Sequence, residues 1–318
     1  MNQGSRKPYI LMLVLLSSVG MILDLPQPLR LAFAFIQAFL LPGTVLIHLL
    51  WDRERQMMDE LFFAPVISPV VLTLFIYLAY LMTGSFDRSL RLSLWALYAL
   101  AALAVIIYPR RIALPDTSRT GFPRKVLMVC AGFALAITIP YLLNEYLMYR
   151  SDAWLHASIT KEIMVRGIPP LEPRFPDIPV RYMWFYHMFQ AAWARLSGLG
   201  VFHAMGISNI TFAFVFPYMI YRLTSLFTRN RRRLALTPLL AVGGIQSVAW
   251  ICWPVVLLRA LSGEVKGGAE IERILDNIAL DGHEVIFTLR PHMTFLINTM
   301  DKFYTTTTFN YAILLFLL

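Results

Sequence analysis

The chain has 318 residues, of which 58% are hydrophobic, 14% aromatic and only 15% charged, with a mean hydropathy of +0.62. That composition excludes an ordinary water-soluble domain and predicts an all-α, polytopic bundle of transmembrane helices in a lipid bilayer. The formal net charge of +9 would suggest nucleic acid in a soluble protein, but here the basic residues collect at the ends of apolar runs, which assigns them to the membrane boundary and argues against a nucleic-acid partner.

A bilayer core of about 30 Å needs roughly 20 apolar residues per helix. The first run, Tyr9 to Leu25, lacks a small-residue cleavage site and a second run follows almost at once, so it reads as a retained anchor. Further spans are predicted at Leu29 to Trp51, Leu61 to Thr83, Leu92 to Tyr108 and Val126 to Leu147. With the N-terminus in the cytoplasm, the inside connections carry Arg6, Lys7, Arg53, Arg55, Arg110, Arg111, Arg119, Arg124 and Lys125. The outside ones carry only Arg88 and Arg91. This excess places a multi-pass protein in the cell membrane, with the residues after Leu147 on the extracytoplasmic face. His48, inside the second run, reads as a buried polar group. Cys130 and Cys252 read as core residues, because two thiols without paired spacing make neither a disulfide framework nor a zinc site. No Gly-rich phosphate loop is present.

Next comes a polar, Pro-rich insert from Ser151 to His187. Gly167, Ile168, Pro169 and Pro170 stop a helix predicted over Ala153 to Arg166. Asp152 stands at its start, where it can cap free backbone N–H groups. It can also serve as a general base. Asp152 and His156 are spaced i, i+4 beside an apolar stripe of Leu155, Ile159 and Ile163, and a carboxylate leaning on such a stripe is partly desolvated and more basic. Both readings stand on the sequence. The cluster Arg181, Tyr182, Trp184, Tyr186 and His187 is equally double: an aromatic belt at the headgroup level, or a substrate surface. In the second reading Arg181 pairs with phosphate, Tyr182 packs on a sugar or lipid and His187 orients a hydroxyl. Arg150 and Arg174 are further phosphate candidates.

The run Tyr182 to Leu199 is just long enough to span, yet it contains Arg195. If it lies along the interface, Arg229, Arg231, Arg232 and Arg233 fall inside, as the charge rule prefers. Spans follow at Val201 to Phe227 and Leu234 to Leu261. Between Ser262 and Asp301, Glu264, Glu270, Glu272, Asp276, Asp281, His283, Glu284 and His292 read as a solvated face. Their spacing matches no ligand pattern, so no cofactor is expected and a divalent metal is left open. The last run, Phe309 to Leu318, is half a span, and the chain reads as an N-terminal portion of a longer protein. Three regions result: residues 1–145 with five spans, 146–200 with the external loop, and 201–318 with further helices.

Asp152, Trp154, His156, the stretch EIMVRGIPPLEPRFPDIPVRYMWFYH and the Leu-Ser-Gly-Leu turn together resemble the first external loop of GT-C superfamily membrane glycosyltransferases, of the protein-mannosyltransferase and aminoarabinose-transferase kind. The resemblance covers about Asn144 to Thr228. It implies a polyprenyl-phosphate-linked sugar donor, a lipid, glycan or protein acceptor, a catalytic base at Asp152, and a full span at Tyr182 to Leu199, against the charge count. The family usually places this Asp after its first span; here it follows the fifth, which implies an added N-terminal region. A non-catalytic assembly subunit needs only the helices. A transporter would carry ionisable groups within its spans, where few are present, chiefly His48 and Arg222.

Overall fold

The computed structural model describes residues 12–16, 18, 25–50, 57–107, 124–143, 149, 153–243 and 309–318. The helices are α1 (Gln27–Leu50), α2 (Met57–Thr83), α3 (Phe86–Ile107), α4 (Arg124–Leu143), α5 (Ala153–Arg166), α6 (Phe185–Ser197), α7 (Val201–Phe227), α8 (Arg231–Gly243) and α9 (Phe309–Leu317). Four of them, α1, α2, α3 and α7, are long and apolar enough to cross a bilayer. The chain is therefore an all-α, multi-pass membrane protein; α4, at 20 residues, covers the expected run only from Val126 to Leu143 and is not one of the four. The helix expected over Ala153 to Arg166 is present with those bounds.

The described residues fall into two compact units. The first holds α1, α2, α3, α5, α6, the first eight residues of α7, and α9 from Tyr311. Its centre is the contact of α1 with α2. Gly43 N–H donates to Ser68 Oγ at 2.8 Å, and a Cβ at Gly43 would collide with the Ala64 backbone. Small residues let two membrane helices approach to this distance, which replaces the missing hydrophobic drive with close packing. One turn earlier, Ile36–Leu40 is a wide π-helical turn. Pro42 follows it, and Pro lacks an N–H and crowds the carbonyl four residues back, so the ladder loosens there. The turn buries Gln37, whose amide donates to Tyr98 Oη on α3 at 3.1 Å.

After α5 the chain forms an antiparallel hairpin of β1 (Leu171–Glu172) and β2 (Phe175–Pro179), with Leu171 opposite Pro179. The sequence reading did not include it. Pro169, Pro170, Pro173, Pro176 and Pro179 forbid helix and leave extended backbone as the alternative. Gly167, at φ +99°, makes the turn out of α5 and lies against the Tyr80 hydroxyl.

Helix α6 resolves the conflict over Tyr182 to Leu199. Its 13 residues rise about 20 Å, against roughly 30 Å for a bilayer core. At that length it does not cross a bilayer core by itself. Its C-terminal end meets the start of α1, where Gln27 Nε2 donates to the Ser197 carbonyl at 2.9 Å and Arg30 donates to the carbonyls of Leu196 and Arg195, each at 3.0 Å. These donors satisfy the carbonyls that a helix end leaves open. Arg195 forms a bidentate pair with Asp87 at the start of α3, 2.8 and 3.0 Å, which gives the charge inside this run a partner. From there α6 runs down into the unit. Phe189 and Trp193 pack on Phe39, with ring centroids 5.1 and 5.2 Å apart, and His187 through Ala194 are buried.

The second unit holds α4, the remainder of α7, and α8. Phe133 meets Phe216 with centroids 6.2 Å apart, and Cys130 is buried as expected. Asn230 caps α8 by accepting from the N–H groups of Arg232 and Arg233 at 3.0 and 3.3 Å. Cys252, the acidic loop Ser262 to Asp301 and the distal part of the run to Leu261 lie outside the described residues.

Candidate functional site

Three of the sequence-predicted residues, His156, Tyr182 and His187, come together where α5 meets α6. His156 projects from the first turn of α5 and His187 from the first turn of α6, and both are buried, at 3% and 1% exposure. Along α5, Ile159 and Ile163 are buried and Leu155 is half-buried, so the apolar stripe carries His156 inward. His156 Nδ1 and His187 Nε2 are 2.7 Å apart, and the two rings lie nearly parallel. Tyr182 closes the group, its ring 5.8 Å from His156 and 6.0 Å from His187.

The hydrogen bonds assign the protons. His187 Nδ1 lies 3.1 Å from the Met183 carbonyl, which can only accept, so that nitrogen carries a proton. In the neutral ring Nε2 is then an acceptor, and His156 Nδ1 must donate to it. Burial, and then the neighbouring His156, push the His187 imidazole down to about 3, against the lifting effect of the Met183 carbonyl. Two imidazolium rings at this separation would repel, so His187 stays neutral.

Deeper along α6 runs a second polar chain, which sequence reasoning missed. Gln190 donates to Tyr186 Oη, and Ser208 Oγ on α7 lies 3.2 Å from Gln190 Oε1. Tyr186 stacks on Tyr311 at 5.1 Å, and the Tyr311 hydroxyl donates to the Val66 carbonyl at 2.8 Å. Burial raises the Tyr186 phenol well above its ordinary range, so it acts only as a neutral hydrogen-bonding group. The i, i+4 spacing of Tyr186 and Gln190 was the available signal.

Other candidates are placed differently. Arg174 stands exposed at the hairpin turn, where its Nε donates to Glu172 Oε1 at 2.9 Å; the cation expected for phosphate already has a carboxylate. Arg181 is exposed, and Tyr182 is 41% exposed. Arg150 and Asp152 lie outside the described residues. His48 is buried in α1. Among the described residues, no three His, Cys, Asp or Glu side chains gather as a metal site would require.

A cleft of about 330 Å³ lies on the other face of α5, towards the first turn of α7. Trp154 and Phe202 meet across it edge to face, 4.9 Å between centroids, with Lys161 and Glu162 on the same wall. None of these four was singled out from sequence as a site residue.

No known protein family, curated protein or solved structure matches this chain.

Proposed function

We propose that this membrane protein is a glycosyltransferase that moves a sugar from a lipid-phosphate donor to an acceptor at the extracytoplasmic end of its bundle, with Asp152 as general base. The observation that supports the reading is the buried His156–His187 hydrogen bond of 2.7 Å, which ties the helix directly following Asp152 to α6. A hydrogen-bonded histidine pair thus lies one helical turn along the chain from the carboxylate. In the proposed reaction the acceptor hydroxyl attacks the anomeric carbon, Asp152 takes its proton, and the bond to the lipid phosphate breaks. His156, with its tautomer set by His187, orients the acceptor hydroxyl or relays its proton. Cations such as Arg150 or Arg181 stabilise the departing phosphate, which in a dry site contributes several kcal/mol.

The test is Asp152→Asn in the full protein, followed by isolation of lipid-linked and acceptor glycans from cells. Asn keeps much of the capping ability of Asp but takes no proton at neutral pH. Expression and thermal stability are expected to stay unchanged while transfer falls on the order of a hundred-fold or more. Wild-type transfer by the variant rejects Asp152 as the base. An equal loss of folding assigns it to the helix cap.

A further inference from the structure

We propose that the cleft between α5 and the first turn of α7 is a carbohydrate-binding site that seats one sugar ring against Trp154. The choice of a sugar over other small polar ligands rests on the transferase reading; the shape and chemistry of the site do not. At about 330 Å³ the cleft is at the small end of ligand pockets, which run from about 300 to 1,000 Å³. That volume suits a single ring better than a lipid chain.

One face of α5 supplies most of the wall. Trp154, Ala157, Ser158 and Lys161 follow one another at i, i+3, i+4 and i+7, so they share a stripe. Phe202 holds Trp154 by an edge-to-face contact, 75° between ring planes, which fixes the indole while 60% of its surface stays exposed. Ala157 leaves the space beside it open. The charged end of the wall is also held in place: Glu162 Oε2 lies 3.3 Å from Arg166 Nε. That oxygen is buried, while the Glu162 side chain as a whole keeps 20% of its surface exposed, so the remaining oxygen of the carboxylate is the acceptor offered to a ligand.

A sugar ring matches this pairing of surfaces. Its axial C–H groups present an apolar, slightly positive face to the negative face of the indole. Its hydroxyls donate to Glu162, accept from the Lys161 ammonium, and do either with Ser158. A tryptophan that only anchors the chain at the lipid headgroups requires no cleft and no oriented carboxylate beside it.

The experiment is saturation-transfer difference NMR on the full chain in lipid nanodiscs, with methyl glycosides of the common hexoses and pentoses as probes. Ring protons of at least one glycoside are expected to receive saturation. The signal should fall about five-fold or more in Trp154→Ala, recover in large part in Trp154→Phe, and fall again in Glu162→Gln. Trp154 is exposed, so the variants are expected to keep the wild-type melting temperature, which is measured alongside. No transfer to any glycoside, or equal transfer in Trp154→Ala, overturns the proposal. Binding is read here without turnover. A chain that binds the glycoside yet transfers normally as Asp152→Asn would overturn the assigned base and leave the cleft standing.

Discussion

Acidification from pH 7.5 to pH 5.0 is expected to weaken the fold through the buried histidine pair. An imidazole in the unfolded chain titrates near 6.5, whereas burial and His156 hold His187 at about 3. Its folded-state value is depressed, so below pH 6.5 the unfolded chain binds more protons than the folded one. The stability this group contributes is complete above that value and is lost as pH falls towards 3. At pH 5.0 the unfolded ring is almost fully charged and the folded ring almost fully neutral, a difference of ~2 kcal/mol. On the scaling for domains of a few hundred residues that loss lowers Tm by about 4–8 °C. Because His156 and His187 share a hydrogen bond, the uptake belongs to the pair. The assay is apparent Tm by intrinsic fluorescence in nanodiscs at both pH values, for wild type and His187→Gln. Gln can donate to the Met183 carbonyl and accept from His156, but it does not titrate. Wild type should lose several degrees more than the variant on acidification. Equal losses would show that His187 is not held neutral by burial, and the argument from its geometry would fail.

Two further outcomes are expected, one from the fold and one from the charge pattern of the sequence. Gly167→Ala places a Cβ at φ +99° against the Tyr80 hydroxyl, and should destabilise by about 1–3 kcal/mol in thermal melts; an unchanged Tm would mean that the turn after α5 carries no constraint. A cysteine placed at Ser151 should react with an impermeant thiol reagent added outside the cell, and one at Thr117 should not, because the Lys and Arg asymmetry orients the chain; reversed labelling would remove the external site.

The positions of the long helices were legible in the sequence because a bilayer demands about 20 apolar residues in a row, and that demand is met locally. The bounds of α5 were legible for the same kind of reason: Gly167 and the prolines after it end a helix whatever surrounds them. His156, His187 and Tyr182 could be named as candidates, since each is a polar or amphipathic group inside an unusual insert. Their joining could not be read, because a separation of 31 positions along the chain sets no distance; the packing of α5 on α6 brings their ring nitrogens to 2.7 Å. The length of α6 escaped for a related reason. An apolar run of 18 residues can span or lie flat, and only Gly198 at φ +70°, together with the hydrogen bonds of Gln27 and Arg30 to its last carbonyls, ends it as a short helix set into the bundle. Arg174 shows the limit from the other side: on the sequence it was a free cation for phosphate, and the hairpin turn gives it Glu172 two residues away. Local composition determines where this chain meets lipid, whereas the pairing of its polar groups is a long-range property that only the packing of helices decides.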